Sequence, residues 1–314
     1  MKFRFLIILI ILYFSIHNAY GQWDAQVSQY WRIKTYYNPS FVGETDAIDN
    51  TIFHRTQWVG VHNAPKTSMA IMHMPFDFLD KKHGVGLSVF NEKIGLFSNT
   101  MTSVQYAYKH QFKKGRTLNI GLQGALTNID FNASEIHIPN SEYHDSTDPA
   151  IPTGGEDKSF DMGLGISWIT PDYYVGFSVS HLWEPKFDLD DNHSSFIGRA
   201  YYLMGGYNIK LKNPLFVLQP SVFVKSDAIT TQVDVTARIE YSKLFNGGVG
   251  WRKDDGFIFM IGLKLRNIEA GYAYDLTTSA LSKVSNGSHE IFLRYVIPLE
   301  KKKEKGNQKS IRLL

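Results

Sequence analysis

With 314 residues and no cysteine, the chain has length for one large or two ordinary domains, while disulfides, thiol catalysis, Cys-ligated metals and a lipoprotein anchor are excluded. A mean hydropathy of −0.21 excludes a bundle of membrane helices, each of which needs an apolar run of about 20 residues, but not a membrane barrel, whose strands are half polar. The net charge of +3 is too small, and too concentrated at the C-terminus, to point to nucleic acid.

The first residues read as a cleaved secretory signal peptide, 1–21. Lys2 and Arg4 form the positive end, Phe5 to Phe14 the apolar core, and Ala19-Tyr20-Gly21 the small-x-small site, which makes Gln22 the expected mature N-terminus. A permanent anchor helix is the competing reading, and its apolar core is too short for a span. Residues 22–50 follow as an N-terminal periplasmic arm or plug, polar and aromatic, with turn signals at Tyr36-Tyr37-Asn38-Pro39 and Gly43.

From Thr51 the chain alternates with a period of two. Strands are expected near 51–61, 66–74, 84–91, 99–110, 116–129, 159–169, 172–183, 199–210, 214–226, 229–241, 244–252, 256–266, 267–276 and 288–298. The clearest is the tenth: Ile229, Val233, Val235, Ala237, Ile239 and Tyr241 share an apolar row, and Thr230, Gln232, Asp234, Thr236, Arg238 and Glu240 share a polar one. Phe160 to Trp168, Leu118 to Leu126, Phe257 to Leu265 and Ile291 to Ile297 repeat the pattern, whereas the first two strands alternate poorly.

No helix is long enough to cover so many apolar rows. The rows must meet either lipid or a second sheet, as in a soluble two-sheet sandwich. We expect lipid, and hence an all-β fold: a transmembrane antiparallel β-barrel of about fourteen strands over 51–299, with polar rows lining the inside. On this reading Val235→Arg costs about 2–4 kcal/mol and the inward Thr236→Arg less.

Loop length gives the orientation. The long connections 130–158, 184–198 and 277–287 all fall on one side, expected outside the cell, and the short turns Thr170-Pro171, Lys212-Asn213, Ser242-Lys243 and Arg266-Asn267 on the other, with 75–83 the loosest of that set. Trp58, Trp168, Trp183, Trp251, Tyr173, Tyr241 and Tyr274 suit interfacial girdles. Pro220 is the least comfortable proline, inside a strand. A basic periplasmic tail, 300–314, ends the chain, either solvated or docked to an acidic partner.

Chemistry is sparse. Asp188, Asp190 and Asn192 begin like a calcium loop, but His193 and Arg199 stand where Gly and Glu are required. His137, Glu142, His144, Asp145 and Asp148 crowd one outer loop without a metal-ligand spacing. Gly84-Val-Gly86, Gly163-Leu-Gly165 and Gly248-Val-Gly250 lie within strands with no helix after them, so they make room for neighbours rather than cradle phosphate. His54, His73, His110, His181 and His289 are scattered, and nothing joins one to a nucleophile. Expected lumen charges are Asp234, Arg238, Glu240, Glu269 and Arg294, with Lys225, Lys264 and Glu290; they either rigidify the barrel as a paired network or line a path. No cofactor and no catalytic site is expected.

Gln26-Val-Ser-Gln-Tyr30, Tyr37-Asn-Pro-Ser-Phe-Val-Gly43, Arg55-Thr-Gln-Trp-Val-Gly60, Ala64-Pro-Lys-Thr67 and Gly84-Val-Gly-Leu87 together resemble the opening blocks of the PorP/SprF family of Bacteroidota type IX secretion membrane proteins. The resemblance runs from about Gln22 to Leu299. It implies a non-enzymatic outer-membrane barrel of the type IX secretion or gliding machinery. Implied partners are outer-membrane lipid, periplasmic type IX secretion or peptidoglycan-linking components, and a secreted adhesin's C-terminal signal domain. Motif positions matched are Asn38, Pro39, Gly43, Arg55, Gln57, Trp58, Ala64 and Pro65, in architectural or partner-binding roles. The alternative is an outer-membrane transport pore for a hydrophobic or small polar solute.

Overall fold

The computed structural model describes residues 24–132, 154–190 and 193–299. The expected signal peptide, the loop residues His137, Glu142, His144, Asp145 and Asp148, Asn192 and the tail 300–314 lie outside these. Strands β1 (Ala47–Thr56), β2 (Lys66–Phe78), β3 (Lys81–Ile94), β4 (Phe97–Phe112), β5 (Arg116–Phe131), β6 (Gly155–Ile169) and β7 (Tyr173–Ser180) form one antiparallel meander. A separate hairpin follows, β8 (Lys186–Asp190) and β9 (His193–Phe196). The meander resumes with β10 (Ala200–Tyr207), its two-residue continuation β11 (Ile209–Lys210), β12 (Phe216–Ser226), β13 (Thr231–Tyr241), β14 (Phe245–Arg252), β15 (Gly256–Leu265), β16 (Ile268–Thr277) and β17 (Ser288–Pro298). β17 pairs back onto β1 and β10 bridges β7 to β12. With β11 counted into β10, the ring closes with fourteen strands and leaves no free edge.

The faces separate as alternation requires. Val235 and Ile261 stand outside at 48% and 66% exposure, while Asp234 and Thr236 beside Val235 are buried. The apolar rows therefore surround the cylinder, where hydrocarbon covers them. Poor alternation at the start has a physical cause. In β1 and β2 the inward row contains Phe53, Met69 and Ile71, all buried, so both faces are apolar there. These residues meet protein inside the lumen, which is thus not lined by polar rows alone.

Tight turns replace some expected loops. Leu79 and Asp80, at φ 49° and 56°, join β2 to β3 as a two-residue turn, so 75–83 is among the tightest connections rather than the loosest. The outward row Met72, Met74, Phe76 and Phe78 stays exposed to the end of β2, and Pro75 and Asp77 between its members hid that end in the sequence. Pro220 falls opposite Tyr207, at the end of β10, where the ladder to β12 is interrupted before β11 and a missing donor is tolerated.

The expected loop 184–198 is a folded hairpin. Phe187 and Leu189 of β8 and Ile197 pack with Ile129 and Phe131 of β5 into a second small core at the long-loop end. Gly155 of β6 allows this, since a Cβ there would lie 1.8 Å from the Leu189 carbonyl oxygen.

Candidate functional site

What fills the lumen is residues 24–46. Successive short turns, Tyr30–Arg32, Lys34–Tyr37 and Pro39–Phe41, compact this stretch, and Tyr30, Ile33, Tyr37 and Phe41 are wholly buried. The segment enters at the long-loop end beside Asp24 and leaves at the short-turn end, where β1 begins.

At the long-loop end Asp24 is clamped from three sides. His181 Nε2 donates to its Oδ1 at 3.3 Å, the Tyr202 hydroxyl donates to its Oδ2, and Lys225 Nζ donates to its carbonyl at 2.8 Å. His181 Nδ1 reaches Asp161 Oδ2 at 2.6 Å. Burial alone would depress the His181 imidazole, but the Asp24 charge and the bonds to Asp161 and Asp24 raise it to about 10, so it is a cation donating from both nitrogens. Burial tends to raise the Asp24 carboxyl, and His181 and Lys225 outweigh it, holding it below the usual carboxylate value.

One step deeper, Ser28 is the hub of a buried ionic network. Glu290 of β17 accepts the backbone N–H groups of Ser28 and Gln29 at 2.8 and 2.7 Å, and Ser28 Oγ donates to Asp275 at 2.7 Å. Arg55 bridges Asp275 (2.7 Å) and Glu290 (3.2 Å); Arg252 bridges Asp234 (3.0 Å), Asp255 (3.2 Å) and Asp275 (2.9 Å). Gln26 Oε1 takes donors from Arg55 and Gln57 at 3.2 and 3.0 Å. Arg55 and Arg252 are 0% and 1% exposed. Charges so far from water persist only when every one is paired and hydrogen-bonded.

Below lies an aromatic layer. Tyr30 stacks on Phe223 at 4.9 Å, Tyr37 tilts against the same ring at 4.7 Å, and Tyr36 stacks on Phe90 at 5.3 Å. The Asn38-Pro39-Ser40 turn then locks to the wall. Asn38 Oδ1 accepts from Ser40 N and Oγ, and Asn38 Nδ2 donates to the carbonyls of Ile166 and Phe177 at 3.3 and 3.1 Å. Glycines of the wall make this possible: a Cβ on Gly165 would sit 2.0 Å from Asn38 Oδ1, and one on Gly121 would sit 2.2 Å from Ser40 N. Gly43, at φ 66°, is pressed against Met74 and Gly84, and Lys109 Nζ donates to its carbonyl. At the short-turn end Arg294 pairs with Asp49 and Glu269, Glu269 also takes Arg32, and Arg238 lies 4.1 Å over the Trp31 ring.

The motif positions are thus gathered by the segment in the lumen. Asn38, Pro39 and Gly43 belong to it; Arg55 and Gln57 hold it. Trp58, with φ 47°, does not join the lipid girdle: it borders a cavity of about 430 Å³ at the outer mouth with Asp24, Gln57, Pro65 and Glu92. Ala64 lines a neighbouring rim cavity. A smaller one, about 210 Å³, opens below the segment beside Lys34, Asp49 and His73. Of the expected lumen charges, Asp234, Arg238, Glu269 and Arg294 are engaged as above, while half-buried Glu240 has no ion pair among the described residues. Tyr173 and Tyr241 do form aromatic pairs at the short-turn rim, with Tyr207 and Phe216.

Sequence reasoning missed Arg252, Asp275, Asp49 and Asp161. All have the inward parity of their strands, the same signal that marked Asp234 and Glu290. Asp24 carried no signal, being a short polar residue in a stretch without periodicity, and Ser28 was marked only by its place in the resemblance block Gln26 to Tyr30. Among the described residues no group of three or more His, Asp or Glu is placed to hold a metal ion.

A closed ring of antiparallel strands, apolar outside and packed within, is an outer-membrane β-barrel. The chain belongs to the PorP/SprF family of type IX secretion system membrane proteins, whose family model matches residues 19–295. No curated protein matches the sequence. Among solved structures it is similar to the Pseudomonas putida toluene transporter TodX (TM-score 0.51, 9% identity, 88% of this chain and 95% of that one). It is also similar to the CymD monoaromatic hydrocarbon channel (TM-score 0.50, 10% identity, 88% and 94%). At such identities these likenesses concern the barrel fold alone.

Proposed function

We propose that the protein works as a closed, non-catalytic scaffold in the outer membrane. It holds periplasmic type IX secretion or peptidoglycan-linking components at its short-turn end, or the C-terminal signal domain of a secreted adhesin at its long-loop end, in secretion or gliding. The observation that carries this reading is the segment 24–46, bound through the buried network on Ser28 and the aromatic layer on Phe223. A pore would have to break that network for each passage, and unpaired buried charges make this expensive. Transport of a hydrophobic or small polar solute is the second reading, favoured by the cavity at the outer mouth and by the two hydrocarbon channels that share the fold.

Photo-crosslinkers placed on the short turns, at Asp80 and Asp172, and on the hairpin, at Lys186, test the scaffold in living cells. Capture of secretion-machinery or adhesin polypeptides at one end is the expected result. A strain that yields no adduct at either end, but loses uptake of an aromatic solute when the gene is deleted, would contradict it.

A further inference from the structure

Charge is distributed unequally between the two rims. The turns at the short-turn end carry Lys113, Lys114 and Arg116 on one side and Lys210, Lys212 and Lys243 on the other, all exposed. None of the six has a carboxylate within ion-pair distance among the described residues; Lys82, which reaches Asp46 at 3.4 Å, shows what pairing there looks like. Asp80 and Asp172 are the acids interspersed on these turns. At the opposite rim, the connections carry Asp227, Asp254 beside Lys253, and Asp255 paired with Arg252.

The six cations stand next to the lipid belt in sequence. Phe112 precedes Lys113; Leu211 lies between Lys210 and Lys212; Leu244 and Phe245 follow Lys243; all four apolar side chains are exposed on the outside. An ammonium group one or two residues from a hydrocarbon-facing side chain sits at headgroup depth, within reach of phosphate oxygens. A periplasmic protein seated below the barrel would lie beyond that depth.

We propose that this basic rim binds the phosphates of anionic phospholipid headgroups in the inner leaflet, fixing the depth and tilt of the barrel. Such binding is independent of which protein the scaffold holds.

The test is native mass spectrometry of the full-length protein, released from mild detergent after incubation with phosphatidylglycerol or, separately, phosphatidylcholine. Phosphatidylglycerol adducts should dominate. Neutralising Lys113, Lys114, Lys212 and Lys243 together to Gln should lower their retention by at least about tenfold, because one basic side chain beside an anionic headgroup layer changes affinity by roughly fivefold. Lys283→Gln at the opposite rim should leave retention unchanged, and heat-modifiable gel mobility confirms that each variant is folded. Equal retention of the two lipids, or unchanged retention in the fourfold variant, would overturn the proposal. So would capture of an acidic periplasmic protein by this rim with no lipid preference.

Discussion

Arg55 concentrates the energetics of the lumen in one side chain. It is fully buried, and its removal takes one of the two arginines on Asp275 and, among the described residues, the one ion-pair partner of Glu290. Arg55→Ala should therefore cost about 3–5 kcal/mol, the range for breaking a buried pair, read as a drop in the urea midpoint of refolded protein. Arg55→Lys should recover part of it, since one ammonium reaches one carboxylate but not two. His181 adds a pH dependence. Its imidazole is raised from 6.5 to about 10 in the fold, so its stabilising effect is complete below about pH 6.5 and disappears as pH rises through about 10. Asp24, held low, contributes above its unfolded value of 3.8 and loses that contribution as pH falls. His181→Gln should accordingly lower the thermal midpoint at pH 6 and make little difference above pH 10; an equal loss at both would remove the ionic tether from the account.

Among the elements, the segment 24–46 and the glycines facing it act as one unit. Gly121→Val would drive a side chain into the Ser40 backbone, which cannot yield without leaving the wall. The barrel itself should survive, because position 121 faces inward and its ladder to β4 and β6 is unaffected. The expected phenotype is a folded barrel whose residues near Ser40 become open to protease, seen by limited proteolysis beside the wild type. This is also where sequence legibility stopped. Strands β5, β6, β13, β15 and β17 were readable because one face meets lipid and the other meets polar groups. β1 and β2 were legible near 51–61 and 66–74 only on weaker alternation, because Phe53, Met69 and Ile71 share a buried cluster with Tyr36 and face protein rather than water. The hairpin β8–β9 was hidden for a related reason: Phe187 and Leu189 are apolar in a stretch whose length suggested only a loop.

At the scale of the molecule, the lipid face was legible and the interior was not. Parity fixes which residues point inward, but whether inward charges line a path or close a network depends on a segment remote in sequence. Val235→Arg should still cost about 2–4 kcal/mol in assembly. The milder effect expected of Thr236→Arg does not stand, because Thr236 is 1% exposed in a filled lumen, and a guanidinium there would overpack it. Both substitutions should impair assembly, Val235→Arg only when lipid is present and Thr236→Arg in detergent as well. Refolding yields in the two media distinguish them.

Conductance tests the filled lumen most directly. Purified wild-type protein in planar bilayers should be electrically silent, and Gly121→Val should open steps of current from the same barrel. Stable open channels in the wild type, indistinguishable from those of the variant, would contradict a lumen closed by its own N-terminal segment.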